Sequence, residues 1–453
     1  MVSRRVLRRR RQVATGTVVF LVLVVYFVFI GGGGGKKPPT AQSHSTTPTT
    51  QKVLPFPEHS PLNPDWKGDG KAVTLAFGGD VHFAGDVGSR LTADPVTALG
   101  DTINQLFDGS DLSMVNLETA VTDNAVCPEP ASKPYIFDAP ATAFTALKSA
   151  SVSLATQAND HGVDCGNEGL SQDLTLASQA KFPIIGLGKN ASAAFAPYRI
   201  TIDGQRIAII SATQIIAANL VSTWTATNSQ SGVASAIDPS QLIAEVQKVR
   251  KRADTVIVYM HWGTETDTCA NTDQETLATE LVKAGADIIV GSNAHVLQGA
   301  GYLGDAYIDY GLGNFAFYDD TAPETDSGAL LVTVEGRQVL TTSFRPATDL
   351  AGLPQPLAGA PEEEAIQGWG ELRSCTNLAE TPSASQTTEA GETEHFTPPP
   401  TTTTTAATST TTTTSVTGTS SNDTTTTTTA AKKTTTTTTA AAATTTAPTD
   451  NAG

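Results

Sequence analysis

The chain predicts an α/β sandwich of two sheets rather than one doubly wound sheet. Two observations carry this. Strand and helix patterns alternate through the first part of the sequence, and antiparallel hairpins enter in the second. A third observation concerns where the strands stop. Val256–Met260, Ile288–Val290 and Tyr307–Tyr310 are apolar runs that end at His261, Trp262, Gly263 and Glu265, at Asn293 and His295, and at Gly313 and Asn314. Buried strands that end in imidazole, amide or carboxylate groups present ligands at a sheet edge.

Ala72–Phe77 reads as the first strand and runs into Gly78-Gly79-Asp80-Val81-His82. Pro95–Phe107 has helical spacing, with Val96, Leu99, Ile103 and Leu106 on one face. Leu112–Val115 is a strand ending at Asn116-Leu117-Glu118, and Pro140–Ala150 a helix with Phe144 and Leu147 inward. Val152–Ala155 is a strand ending at Gln157-Ala158-Asn159-Asp160-His161. Leu170–Ala180 is a helix and Pro183–Leu187 a strand. Tyr198–Ile202 and Arg206–Ser211, joined across Asp203-Gly204, form a hairpin signal. Pro239–Arg250 and Asp273–Ala284 are amphipathic helices, and Ala329–Val334 with Gln338–Phe344 is a closing hairpin.

The two ends of the chain are of different kinds. Arg4, Arg5, Arg8, Arg9, Arg10 and Arg11 form a basic segment, 1–12, before the uncharged run 13–30. That run is long enough for a spanning helix, and the positive-inside rule places the chain beyond it outside the cytoplasm. A cleaved signal peptide is the rival reading. The run exceeds a usual h-region, however, and Gly31–Gly35 is no A-x-A cleavage site. The expectation is a single-pass anchor in the cell membrane with the bulk of the chain extracytoplasmic. Residues 31–70 read as a linker, 71–380 as the folded domain and 381–453 as a disordered tail of Thr, Ala, Ser and Pro.

A net charge of −17 despite the basic start argues against nucleic acid as a partner. Cys127, Cys165, Cys269 and Cys375 include no C-x-x-C pair, which speaks against a zinc knuckle or thioredoxin site. An exported domain favours disulfides. Of the three pairings we favour Cys127–Cys165, tying two loops that follow motif residues, and Cys269–Cys375, pinning the last ordered turn.

The strand ends collect Asp80, His82, Asn116, Glu118, Asn159, Asp160, His161, His261, Glu265, Asn293, His295 and Asn314. There is no G-x-S-x-G and no thiol in a reactive setting, so serine or cysteine nucleophilic catalysis lacks support. Mixed oxygen and nitrogen ligands suit one or two divalent ions: Mn²⁺, Mg²⁺, Fe²⁺ or Zn²⁺. Taken singly, each residue has a plainer reading, as turn, cap or core histidine. Their recurrence at successive strand ends favours a joint site.

The strings G-D-V-H-F-A-G, N-L-E-T-A-V-T, A-N-D-H-G-V-D-C-G, H-W-G-T-E, A-G-A-D-I-I-V-G-S-N-A-H-V-L-Q and Y-G-L-G-N-F resemble the CapA-type poly-γ-glutamate capsule biosynthesis proteins. Those are similar in turn to the calcineurin-like metallophosphoesterases. The resemblance implies a four-layer αββα sandwich of two mixed sheets. It implies metal ligation by Asp80, His82, Glu118, Asp160, His261, His295 and Asn293, with Glu118 in the bridging place. It implies His161 as general acid, with Asp160 and Glu265 beside it in catalysis, and Asn116, Asn159, Trp262 and Asn314 toward substrate. Two positions depart from the common pattern: Asp160 stands where Asn is common, and Asn293 where His is common. An amide oxygen is the weaker ligand for Zn²⁺-like ions.

The function expected is a membrane-anchored hydrolase or transferase that attacks an amide or phosphoryl centre in capsule or poly-γ-glutamate synthesis. Its partners would be the membrane, an anionic envelope polymer and other membrane proteins of capsule synthesis. A non-catalytic protein holding the polymer through metal ions, or an exported phosphoesterase, are the alternatives.

Overall fold

The first strand, β1 (Val73–Val81), is buried along nearly its whole length because it is packed on both faces. Val73, Leu75 and Phe77 point to one side, and Ala76 and Val81 to the other. The computed structural model that shows this describes residues 71–123, 127, 133, 135–318 and 321–383. The expected basic segment, anchor and linker of 1–70, and the tail beyond 383, lie outside the described residues.

β1 sits inside the first sheet. On one side it pairs in parallel with β2 (Leu112–Leu117), followed by β3 (Leu154–Thr156) and β4 (Ile184–Ile185). The second sheet holds β5 (Tyr198–Ile202), β6 (Gln205–Thr213), β7 (Thr255–His261), β8 (Ile288–Ser292), β9 (Ala300–Leu303) and β10 (Ala306–Asp309), in the order β9-β10-β8-β7-β6-β5. The other side of β1 is completed by later chain. β11 (Asn314–Ala316) runs parallel beside Asp80 and Val81. β12 (Asp326–Glu335), β13 (Gln338–Asp349) and β14 (Pro354–Pro356) extend the sheet antiparallel. Both sheets are therefore mixed.

Burial defines the layers. Leu75, Phe77 and Met114 of the first sheet share one core with Ile209, Ile257, Tyr259 and Ile288 of the second. On the outer face of the first sheet lie α1 (Gly85–Ala93), α2 (Gly100–Phe107), α3 (Thr142–Ser149) and α4 (Gly166–Ala180). On the outer face of the second lie α5 (Ser240–Arg250) and α6 (Thr272–Ala284). The arrangement is helix, sheet, sheet, helix. β7 illustrates why its sequence is continuously apolar: Val256, Val258 and Met260 meet the helices, while Ile257 and Tyr259 meet the other sheet.

Local chemistry sets the boundaries. α6 begins with a capping box, in which Asn271 accepts from Gln274 N and the Gln274 side chain accepts from Asn271 N, and it stops at Gly285 with φ 115°. At the β5–β6 hairpin Asp203 and Gly204 both have positive φ, 49° and 86°, the backbone a tight two-residue turn needs.

Two expectations change. The span 95–107 is not one helix: Val96 is 59% exposed, and α2 starts only at Gly100, whose φ is 64°. α1 precedes it and gave little signal, because it buries only Val87 and Leu91. The strand expected over 183–187 is interrupted at Gly186, with Leu187–Gly188 pairing instead with Gly232–Val233. A further helix, α7 (Ala360–Leu372), buries no residue fully, although Trp369 stacks on Phe344 at 4.6 Å. Both favoured disulfides, Cys127–Cys165 and Cys269–Cys375, are formed. Among the described residues no helix is long and apolar enough to cross a membrane.

Candidate metal centre

The carboxyl ends of β1, β2, β3, β7 and β8 converge, and the backbone explains how. Gly79 lets β1 lie against the loop before β11: a Cβ there would sit 1.9 Å from the Gly313 carbonyl oxygen. The next amide, Asp80 N, donates to that same oxygen at 2.9 Å. Asp80 is thereby held at the mouth with no solvent contact. Asn293 and His295 follow β8 with φ of 92° and 58°, a bend that turns both residues back toward β1.

Two ligand groups result, and they share one carboxylate. Asp80, Glu118 and His295 form the first; Glu118, Asp160 and His261 form the second, the ligand atoms of each lying within 4.8 Å of one another. Glu118 Oε1 lies 3.8 Å from His295 Nε2 and 3.7 Å from His261 Nε2. His261 Nε2 is also 3.9 Å from Asp160 Oδ1. It is buried and has no hydrogen-bond partner. A buried imidazole nitrogen facing two carboxylates beyond hydrogen-bond reach fits a divalent ion between them. A carboxylate common to two groups is the geometry of a dinuclear site.

The amides expected to meet substrate instead hold the ligands in place. Asn116 Nδ2 donates to Asp80 Oδ1 at 2.8 Å and to Glu118 Oε2 at 3.3 Å. Asn159 Nδ2 donates to Asn116 Oδ1 at 2.8 Å. Asn314 Oδ1 lies 2.8 Å from His295 Nδ1. All three, expected toward substrate, are fully buried and hydrogen-bonded within the centre, a placement from which they would orient ligands. Trp262, also expected toward substrate, lies elsewhere. It is wholly buried in the core of the second sheet, and its Nε1 donates to the Tyr310 carbonyl at 2.9 Å.

Three other residues differ from expectation in part. Asn293 reaches the first group through its backbone N–H, 3.1 Å from Asp80 Oδ2, while its side-chain nitrogen donates to the Gly263 carbonyl at 3.3 Å. His82 is buried but lies outside both groups: its ring stacks on Phe317 at 3.9 Å and meets Phe137 edge-on at 4.7 Å. Glu265 is exposed and belongs to neither group.

Sequence reading missed two residues, Asp164 and Lys133. His161 Nε2 faces Glu118 Oε1 at 4.0 Å and Asp160 Oδ2 at 3.6 Å. Its Nδ1 rests 2.6 Å from Asp164 Oδ2. An Asp three residues after a His, in a turn, was the available signal.

Charge in the centre is set by burial and by the crowding of opposite groups. Burial and then the Glu118 charge push Asp80 up to about 6. Burial would raise Glu118 as well, but His295, His261 and His161 together hold it well below the ordinary carboxylate range. Burial opposes charge on His295, yet Glu118 and Asp80 raise it to about 9. His261 is raised likewise against its burial, chiefly by Glu118. Burial drives His82 down to about 3, so that ring is neutral. Without an ion the two histidines thus serve as the cations that balance Glu118.

Comparison with known proteins agrees with the sequence motifs. Residues 74–319 match the family described as bacterial capsule synthesis protein PGA_cap. The chain is 29% identical to the capsule biosynthesis protein CapA of Bacillus anthracis over 225 residues, covering 49% of this chain and 54% of that one. It is 28% identical to the PGA biosynthesis protein CapA of Bacillus subtilis over 246 residues, covering 54% of this chain and 63% of that one. Among solved structures, a phosphatase from Mycoplasma pneumoniae aligns with TM-score 0.40 at 14% identity, covering 61% of this chain and 94% of that one. A 5′-nucleotidase from Candida albicans aligns with TM-score 0.36 at 11% identity, covering 70% and 59%. The motifs that build the centre run from Asp80 to Asn314, inside the matched span, and the chain belongs to the bacterial capsule synthesis protein family.

Proposed function

We propose that this chain is a metal-dependent hydrolase or transferase of capsule or poly-γ-glutamate synthesis, anchored to the membrane through 13–30 and acting outside the cytoplasm on an anionic envelope polymer. The observation that carries the chemistry is the pair of ligand groups sharing Glu118, with His161 Nε2 facing both. Asp80 and His295 would hold one ion, Asp160 and His261 the other. Bound divalent ions supply stabilisation of developing negative charge and acidify water.

The chain's own groups do the rest. Asn116 and Asn159 fix the carboxylates, so little reorganisation is needed when charge develops. Asp164, hydrogen-bonded to Nδ1, holds the His161 ring, leaving Nε2 to deliver a proton to a leaving group. The acidic surroundings of the centre would repel a polyanion, so engagement of a carboxylate polymer depends on the bound cations.

The test is to load the full chain with Mn²⁺ and measure turnover of γ-glutamyl polymer and of phosphoesters. The expected result is metal-dependent turnover of the polymer that His161→Gln abolishes without loss of metal uptake. Full metal uptake with no turnover of either substrate class would contradict catalysis and favour a polymer-holding role.

A further inference from the structure

Lys133 is buried where a lysine is costly. Its side chain is 6% exposed, and burial of an ammonium is tolerated only when the charge is paired. Its partners all belong to one short segment, 160–164. Nζ donates to Asp164 Oδ1 at 2.7 Å; it also lies beside His161 Nδ1 at 2.9 Å, a nitrogen that cannot accept from it while giving its own proton to Asp164 in a hydrogen bond. It donates to the Asp160 carbonyl, and its distance to Asp160 Oδ2 is 3.7 Å. The Trp224 ring, 5.1 Å away, covers it from the far side.

Phe137 and Cys127 are bonded to the same segment and to the residue that follows it. Phe137 N donates to Asp164 Oδ2 at 2.7 Å. Cys127 is joined to Cys165, the residue after Asp164. Asp164 therefore receives Lys133 on one oxygen, and Phe137 N and His161 Nδ1 on the other. A carboxylate held in this way accepts a hydrogen bond from the Nδ1–H of the imidazole. The ring's other nitrogen is then fixed toward Glu118 and Asp160.

We propose that Lys133 is a positioning residue for His161: it locks Asp164 and the Asp160 carbonyl so that Nε2 points at the centre, and the Cys127–Cys165 bridge holds the lysine in register. The proposal rests on the reading of His161 as the proton carrier, but it is tested without any turnover assay.

The experiment uses the full chain loaded with Zn²⁺ and labelled with ¹⁵N-histidine. The Nδ1–H resonance of His161 is identified by its absence in His161→Gln. The wild type should show it as a hydrogen-bonded, slowly exchanging proton. Lys133→Met should speed its exchange by at least about tenfold, as expected when a charge-assisted network is broken. Cys127→Ser with Cys165→Ser should reproduce that effect, and adding Lys133→Met to it should change little further. Lys133→Arg, which keeps the charge, should retain slow exchange and decides the matter if Lys133→Met does not fold. An unchanged His161 proton in folded Lys133→Met, or its loss in folded Lys133→Arg, would overturn the proposal.

Discussion

The two ligand groups share Glu118 yet are built differently. The group of Asp80 and His295 is braced by fixed donors: Asn116, the backbone N–H of Asn293, and Asn314 behind the imidazole. Asp80 has no exposed surface. Among the described residues the group of Asp160 and His261 has fewer such donors. Exposure does not separate the two groups: Asp160 keeps 20% of its side chain exposed and His261 none, while His295 keeps 17% and Asp80 none. Behind His261 stands the Thr213 hydroxyl, 3.3 Å from Nδ1. Ligands held by several fixed partners retain an ion more firmly than ligands held by few. The first half would hold its ion more firmly than the second, which lies beside His161.

Removing the shared residue should have the largest effect. Glu118→Gln should abolish the metal response of both halves. The stabilisation by added Mn²⁺, about 2.7 kcal/mol at roughly a hundredfold excess over Kd, should vanish in thermal melts. If either half still responds fully, the two groups do not share a ligand.

Single-half variants sharpen the contrast. Asp80→Asn should remove the tighter of two binding events seen by calorimetry, and His261→Ala the weaker. Loss of the same event in both variants would show one site instead of two.

A smaller effect is the pH dependence of binding. His295 is raised to about 9, so in the metal-free protein its imidazolium must release a proton before the ring can take an ion. Affinity for Mn²⁺ should rise with pH and level off near that value. The sign for stability is the reverse. In the metal-free protein the raised His295 adds stability that is complete below its unfolded value of about 6.5 and is lost as pH rises through about 9. Affinity that is flat between neutral pH and 9 would argue against His295 as a ligand.

The smallest effect lies behind the half that holds Asp160 and His261. Asp173 accepts from Val121 N and from Gln157 Nε2, and burial raises it to about 7. Its contribution to stability is complete below about pH 4 and is lost as pH rises through about 7. Asp173→Asn should flatten that part of the pH–stability curve. A slope unchanged by the substitution would place the titration elsewhere.

Legibility in the sequence has a physical cause. Strands buried on both faces announce themselves as apolar runs, and the polar residues at their ends are conspicuous for that reason. Asp80, Glu118, Asp160, His261 and His295 were all legible in this way. So was the β5–β6 hairpin, because Asp203-Gly204 suits a turn with two positive φ values. Roles within the site were harder. Asn116, Asn159 and Asn314 sit at strand ends just as ligands do, and only three-dimensional distances distinguish an amide that orients a ligand from one that meets substrate. Trp262 adjoins His261, but strand alternation sends it into the core. Lys133 belongs to none of the strand-end motifs, and its pairing with Asp164 spans 31 residues in sequence. α7 escaped notice because it buries no residue fully and packs chiefly through Trp369.

The central claim is that Glu118 bridges two ions, and electron paramagnetic resonance of the Mn²⁺-loaded full chain tests it most directly. With about two ions bound per chain and a shared carboxylate holding them about 3.5–4 Å apart, the spectrum should be that of a coupled Mn²⁺ pair, and Glu118→Gln should eliminate that signal. Six-line spectra of isolated Mn²⁺ at every loading, unchanged by Glu118→Gln, would contradict the account.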